Sequence, residues 1–136
     1  MVRPNFVALH FMLLLAGAAQ AAGTPDARRS LVLLHIDTDG RGAISRAEAK
    51  AAAAAKFDAI DLDHDGKLDG VELTGIVGSR SFAKSDTDHD GSLDKAEYLA
   101  IVMRHFDKAD ADHSGKIDAA ELDAEPGRDL VSLLQY

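Results

Sequence analysis

The chain has no cysteine and no tryptophan, and only three prolines, two tyrosines and five phenylalanines among its 136 residues. The missing cysteines exclude a disulfide framework and any thiolate metal site, and with them lipid attachment at an N-terminal cysteine. So few aromatics leave a thin core for what the length allows, one small domain. Positive charge is also short, with 15 Lys and Arg against 23 Asp and Glu and a net charge of −8. Such a surface repels nucleic acid and anionic membranes and attracts cations. Long apolar runs are absent except near the start, where Phe6 to Ala19 follows Arg3 and is dented by His10. That run is shorter than the ~20 residues a membrane span needs. It leads to Ala19-Gln20-Ala21, a small-x-small cleavage pattern. Residues 1–21 therefore read as a signal peptide cut before Ala22, and 22–136 as the working domain. The domain keeps 14 basic against 23 acidic residues, a net charge of −9. The expected location is periplasmic or secreted, with no membrane attachment after cleavage.

What the chain has in quantity is acid, and the acid is spaced. In Asp61-Leu62-Asp63-His64-Asp65-Gly66-Lys67-Leu68-Asp69-Gly70-Val71-Glu72, carboxylates fall at positions 1, 3, 5, 9 and 12 of a twelve-residue loop. Asp61, Asp63 and Asp65 place three hard oxygen donors around one point. Gly66 permits the sharp turn that wraps the chain round it. Lys67 offers its backbone carbonyl, Asp69 reaches the point directly or through a water, and Glu72 closes the shell with both oxygens. Leu68 points inward, where two loops can join through a short β-bridge. Seven concordant positions make this a cation site rather than a solvated acidic loop.

The loop recurs. A second full copy has ligands Asp86, Asp88, Asp90, Ser92 through its carbonyl, Asp94 and Glu97. A third has Asp110, Asp112, Ser114, Lys116 through its carbonyl, Asp118 and Glu121, with Ser114 the weaker fifth-position donor. A degraded copy over 37–48 keeps Asp37, Asp39 and Glu48 but places Arg41 at a ligand position and Ser45 at the ninth. Three strong sites and one weak site are expected. Ile44, Leu68, Leu93 and Ile117 hold the apolar position. Leu33, Phe57, Phe82 and Phe106 stand four residues before each loop, on the last turn of an entering helix and facing the core.

Loop starts are 24, 25 and 24 residues apart, so one gap must hold both the helix leaving one loop and the helix entering the next. Residues 46–60 contain strong helix formers and no breaker and read as one shared helix. Its Ala51–Ala55 run allows close helix packing. Residues 95–109 read likewise, with Tyr98, Leu99, Ile101, Val102 and Phe106 on the apolar side. In the middle gap Gly75, Gly78 and Ser79 interrupt the pattern, and Ser79 or Ser81 is expected to cap a new helix. A straight helix of ~15 residues keeps its ends ~22 Å apart, so the loops it joins cannot sit side by side. The break lets loops 61–72 and 86–97 pair, which leaves 37–48 for 110–121. A lead-in helix over 26–36 and a core-covering helix over 128–136 complete an all-α fold: four loops joined by short shared helices, a compact bundle with the loops at its periphery.

Loops 61–72 and 86–97 match the EF-hand pattern D-x-[DN]-x-[DN]-G-x5-E in full, and 110–121 and 37–48 depart from it at the fifth position, with Ser114 and Arg41. Four such loops with ~12 residues between them, behind a signal peptide, resemble the lanmodulin family, periplasmic lanthanide-binding proteins of methylotrophic bacteria. Asp69, Asp94 and Asp118 at the ninth position agree, as do the stretches 93–100 and 117–122. The resemblance covers essentially the whole mature chain. It implies a central helical bundle with peripheral loops, inner pairing with inner and outer with outer, and Ca2+ or lanthanide(III) ions as ligands. The best-known members carry proline at the second loop position, where this chain has Thr38, Leu62, Thr87 and Ala111. The departure bears on lanthanide selectivity rather than on metal binding.

The remaining polar residues add no second chemistry. His64, His89 and His113 occupy the fourth loop position, which faces solvent, and His35 and His105 are expected on helix surfaces. Every acid pair lies inside a loop, and no Ser-His-Asp or phosphate-binding motif is visible. The chain reads as a binding protein and not an enzyme. It folds when a cation relieves the repulsion within its loops, because a core with so few aromatics cannot hold them together alone. The alternative is a calcium sensor that regulates a protein partner through an exposed apolar face. Such sensors favour Met-rich grooves, and past residue 21 the chain has only Met103.

Overall fold

The computed structural model describes residues 25–135. The signal-peptide reading lies outside the described residues. The elements run α1 (Pro25–Ile36), β1 (Ile44–Ser45), α2 (Arg46–Ile60), β2 (Lys67–Leu68), α3 (Ser79–Ser85), β3 (Leu93–Asp94), α4 (Lys95–Ala109), β4 (Lys116–Ile117), α5 (Ala119–Asp123) and α6 (Glu125–Leu134). No described helix is long and apolar enough to cross a membrane. The two shared helices are present with the expected bounds. So is the expected pairing. β1 lies antiparallel to β4, Ile44 facing Ile117, and β2 lies antiparallel to β3, Leu68 facing Leu93.

The core forms where α2, α4 and α6 meet. Ala49 and Ala53 are fully buried, and their short side chains let α4 come close to α2. Phe57 meets Tyr98 with ring centroids 5.9 Å apart and an interplanar angle of 59°, a tilted aromatic contact. Tyr98 is buried but donates its hydroxyl to the Leu133 carbonyl at 2.9 Å, and burial pushes its pKa up to about 12. Leu130, Leu133 and Leu134 bring α6 down over the other two helices. Lys56, also buried, donates to the Gln135 carbonyl at the end of α6. That places a cation at a helix C-terminus whose last turn carries none of its own. Arg46 stacks its guanidinium 5.0 Å from the Phe106 ring centroid and pairs with Asp107, so the outer edge of α2 and α4 is also joined.

Two details differ from the sequence reading. The middle gap does break, but Gly78 is the N-cap of α3 and contributes no side-chain bond. Ser79 and Ser81 lie inside the helix. Upstream, residues 70–77 form successive turns instead of an exiting helix: Leu73 N–H donates to Asp69 O, and Ile76 and Val77 N–H to Leu73 O. Gly75 sits there at φ +77, a conformation costly to other residues. The final helix starts at Glu125, three residues earlier than expected, because Pro126 occupies the first turn, where a missing N–H costs nothing.

That early start folds α6 tightly against α5, and the contact depends on Gly127. A Cβ there would lie 2.0 Å from the Glu121 carbonyl oxygen and 2.7 Å from the Leu122 Cα. Gly127→Ala should therefore destabilise the fold by about 1–3 kcal/mol, the usual cost of overpacking, whereas Gly70→Ala, with open space around it, should be close to neutral. Chemical denaturation of the two variants checks this; equal stabilities would contradict the packing described.

Candidate metal centre

Each loop is built the same way. The first-position Asp follows directly on an entering helix, and its N–H donates to the carbonyl four residues back: Asp37 to Leu33 at 2.8 Å, Asp61 to Phe57 at 3.0 Å, Asp86 to Phe82 at 2.9 Å, Asp110 to Phe106 at 2.9 Å. Phe57 and Phe106 are buried, Leu33 and Phe82 half-buried. The first Asp is thus fixed by the helix that the core holds. The chain then reverses through left-handed backbone at the fourth and sixth positions. Gly42, Gly66, Gly91 and Gly115 take φ between +77 and +86 at the sixth. Gly40 takes the fourth in the first loop, and His64, His89 and His113, at φ +57 to +59, take it in the others. The histidines are exposed as expected. Their left-handed backbone is an addition to the sequence reading, and histidine is among the few side chains that enter this region with any frequency.

The sixth-position N–H donates to Oδ2 of the first Asp in every loop, at 2.7 Å for Gly42, 3.0 Å for Gly66, 3.1 Å for Gly91 and 2.9 Å for Gly115. The closing Glu bridges the ring. Glu48, Glu72, Glu97 and Glu121 accept on Oε1 from the second-position N–H, of Thr38, Leu62, Thr87 and Ala111, at 2.7–2.8 Å. On Oε2 they accept from the ninth-position N–H at 2.9–3.0 Å. The result is four clusters in which positions 1, 3 and 12 each offer a carboxylate oxygen and all lie within 4.8 Å of one another: Asp37, Asp39 and Glu48; Asp61, Asp63 and Glu72; Asp86, Asp88 and Glu97; Asp110, Asp112 and Glu121.

The other candidate ligands stand outside these clusters. Ser45, Asp94 and Asp118 are N-caps of α2, α4 and α5, each accepting from the N–H three residues on in a reciprocal capping box. Asp69 accepts from the Val71 and Glu72 N–H groups at 2.7 and 3.0 Å. At the fifth position Asp65 accepts from the Lys67 N–H at 2.8 Å, Ser114 donates its hydroxyl to the Lys116 carbonyl at 3.1 Å, and Asp90 is held by Ser92 and Lys67. Ser92 and Lys116, proposed as carbonyl donors, lie at the strand edge where the loops pair. Sequence reading missed the capping roles, although Ser45-x-x-Glu48 is a capping-box signature. It missed the Thr38 and Thr87 hydroxyls, which donate to Glu48 and Glu97 at 2.9 and 2.7 Å.

Whether the clusters suit a cation is tested best at Asp61. In the third and fourth loops the fifth-position N–H donates to the first Asp, Asp90 to Asp86 at 3.1 Å and Ser114 to Asp110 at 2.8 Å. In loop 61–72 the Asp65 N–H reaches only Asp63. Asp61 Oδ1 is left buried with no hydrogen-bond partner. A buried, unpartnered oxygen on a carboxylate that clusters with two others is stabilised by a counter-charge. An oxygen-coordinated hard cation supplies one, and the donor set of carboxylates and carbonyls suits Ca2+ and ions like it.

Backbone N–H groups and hydroxyls lower the pKa of two of the closing glutamates, Glu48 and Glu97. At Glu48 burial pushes the pKa up, but the Ser45 N–H and hydroxyl with the Thr38 hydroxyl and N–H pull it down further, to about 2. The Thr87 hydroxyl and N–H lower Glu97. A carboxylate whose folded pKa lies below its unfolded value stabilises the fold above the unfolded pKa, and that contribution is lost as pH falls through the folded value. For Glu48 the window runs from about 4.5 down to about 2. Thr38→Val removes one of the donors. The acid-unfolding midpoint, followed by far-UV circular dichroism, should then move to higher pH; an unchanged midpoint would show that the hydroxyl does not hold Glu48.

No curated protein matches the chain significantly. The family profile described as EF hand matches residues 54–76, 80–103 and 103–124, together half of the chain. The three segments contain loops 61–72, 86–97 and 110–121, and loop 37–48, outside the match, repeats their geometry. The chain therefore belongs to the EF-hand family, with the acidic clusters of metal-binding hands in all four loops.

Proposed function

We propose that the protein is an exported, non-catalytic EF-hand protein that binds Ca2+ or trivalent lanthanide ions and folds around them. The observation that carries the reading is the buried, unpartnered Oδ1 of Asp61, on a carboxylate that clusters with those of Asp63 and Glu72 as in the other three loops. Loops 61–72 and 86–97 each hold five carboxylates. Without a cation the charges repel. Ca2+ leaves −3 on the five carboxylates of each loop, and a trivalent ion of similar size leaves −2, so the trivalent ion relieves more repulsion at the same geometry. A sensor mode is less well supported: α6 already covers the apolar faces of α2 and α4 through Leu130, Leu133 and Leu134.

The test is a titration of the full chain with La3+ and with Ca2+ by circular dichroism. Helicity should be low in excess chelator and rise on metal addition, with La3+ acting at concentrations several orders of magnitude lower. Ca2+ should bind in the micromolar to millimolar range of sensors and extracellular modules. Helicity in chelator equal to that in saturating metal would end the folding-on-binding reading.

Loop 37–48 should fill last. Arg41 occupies its fifth position and its Nε pairs with Asp39 Oδ2 at 3.3 Å, so a ligand carboxylate already has a cation beside it. Arg41→Asp should tighten Ca2+ binding at this loop by at least tenfold, since it replaces a positive charge with a negative one a few ångströms from the site. Calorimetry of the native chain showing four equivalent strong sites would contradict the ranking.

A further inference from the structure

Loops 61–72 and 86–97 have the same carboxylate composition, yet the structure makes them unequal. Across the β2–β3 bridge Lys67 faces Asp94, and its ammonium reaches past that residue to pair with Asp90 Oδ2. The other oxygen of Asp90 accepts the Ser92 N–H at 2.8 Å and the Ser92 hydroxyl at 2.6 Å. Both oxygens of this fifth-position acid are thereby engaged away from the cluster of Asp86, Asp88 and Glu97. Asp65, its counterpart in the other loop, is exposed and accepts only from the Lys67 N–H.

We propose that Lys67 sets the metal affinity of the neighbouring loop, 86–97, by competing from loop 61–72 for Asp90. The inference rests on reading the loops as metal sites. Lys67 then has two roles in two sites. Its backbone carbonyl belongs to the donor set of its own loop, while its side chain is a tethered counter-ion for the other. Loop 86–97 can draw on its fifth carboxylate only when the ammonium gives it up, so it presents one negative charge fewer than loop 61–72. Loop 61–72 fills first, and loop 86–97 follows after displacement of Lys67. The bias is stronger for trivalent ions, because repulsion between the ammonium and a bound cation scales with the charge of that cation. Lys67 and Asp90 side chains are 45% and 30% exposed, so the pair is of the modest, solvent-screened kind.

Lys67→Met keeps the backbone carbonyl and the β-bridge and removes the ammonium. In the full chain, site-resolved dissociation constants for Ca2+ and La3+ can be read from the Gly66 and Gly91 amide resonances. The variant should bind Ca2+ at loop 86–97 about threefold to fivefold more tightly, the upper range for an exposed ion pair, with a larger gain for La3+ and a smaller change at loop 61–72. In an Asp90→Asn background the same substitution should lose its selective effect on loop 86–97. Equal gains in the two loops, or a gain that survives in Asp90→Asn, would mean a general charge effect and overturn the proposal while leaving the metal-binding reading intact. If neither Gly66 nor Gly91 responds to either ion, the metal-binding reading itself fails.

Discussion

The closing glutamate is the interaction on which the rest of the structure depends. Glu48, Glu72, Glu97 and Glu121 each span their loop from the second to the ninth position through two backbone N–H groups. The ninth-position partner sits at the bridge residue or directly before the following segment. Closing the loop therefore aligns the β-bridge and, in three of the four hands, starts the next helix in the same act. α2, α4 and α5 each begin with this reciprocal cap. Loss of a cap of this kind costs about 0.5–2 kcal/mol, a sizeable share of the stability of a small domain.

The clamp also explains why ligand and scaffold are hard to separate in this chain. The carboxylates that suit a cation are those that satisfy loop amides when they turn inward on the backbone. First-position aspartates accept from sixth-position glycines, and ninth-position aspartates cap helices. Only Asp61 Oδ1 is left buried with nothing to accept from among the described residues. Charge is concentrated where backbone donors are dense, so the loops hold acidic side chains in place while still lacking a full complement of counter-charge.

Much of this was legible in the chain itself. The shared helices over 46–60 and 95–109 follow from helix-forming composition without a breaker, and the pairing of loops follows from helix length and the Gly75–Gly78 interruption. The acids at positions 1, 3 and 12 of each loop converge as their spacing demands. What escaped depends on three-dimensional proximity or on backbone conformation. Gly78 caps α3 although Ser79 and Ser81 follow it, because the cap position is set by where the preceding turns end. Gly127 lies inside a helix because its missing side chain lets α6 approach α5. The ion pair of Lys67 with Asp90 joins residues of different loops, and it becomes visible only once the β2–β3 register is known.

The shared helices have a mechanical consequence. α2 runs from the 37–48 loop to the 61–72 loop, and α4 from the 86–97 loop to the 110–121 loop, while the β-bridges join 37–48 to 110–121 and 61–72 to 86–97. Helix, bridge, helix and bridge form a closed four-bar linkage: two rigid couplers with a hinge at each end, all held in one circuit. In such a circuit no hand can rotate alone. A single residue inserted in α2 would turn one end about 100° relative to the other and advance it about 1.5 Å, and the circuit would no longer close at both bridges. Length is therefore a quantity that α2 and α4 must keep in addition to their core residues.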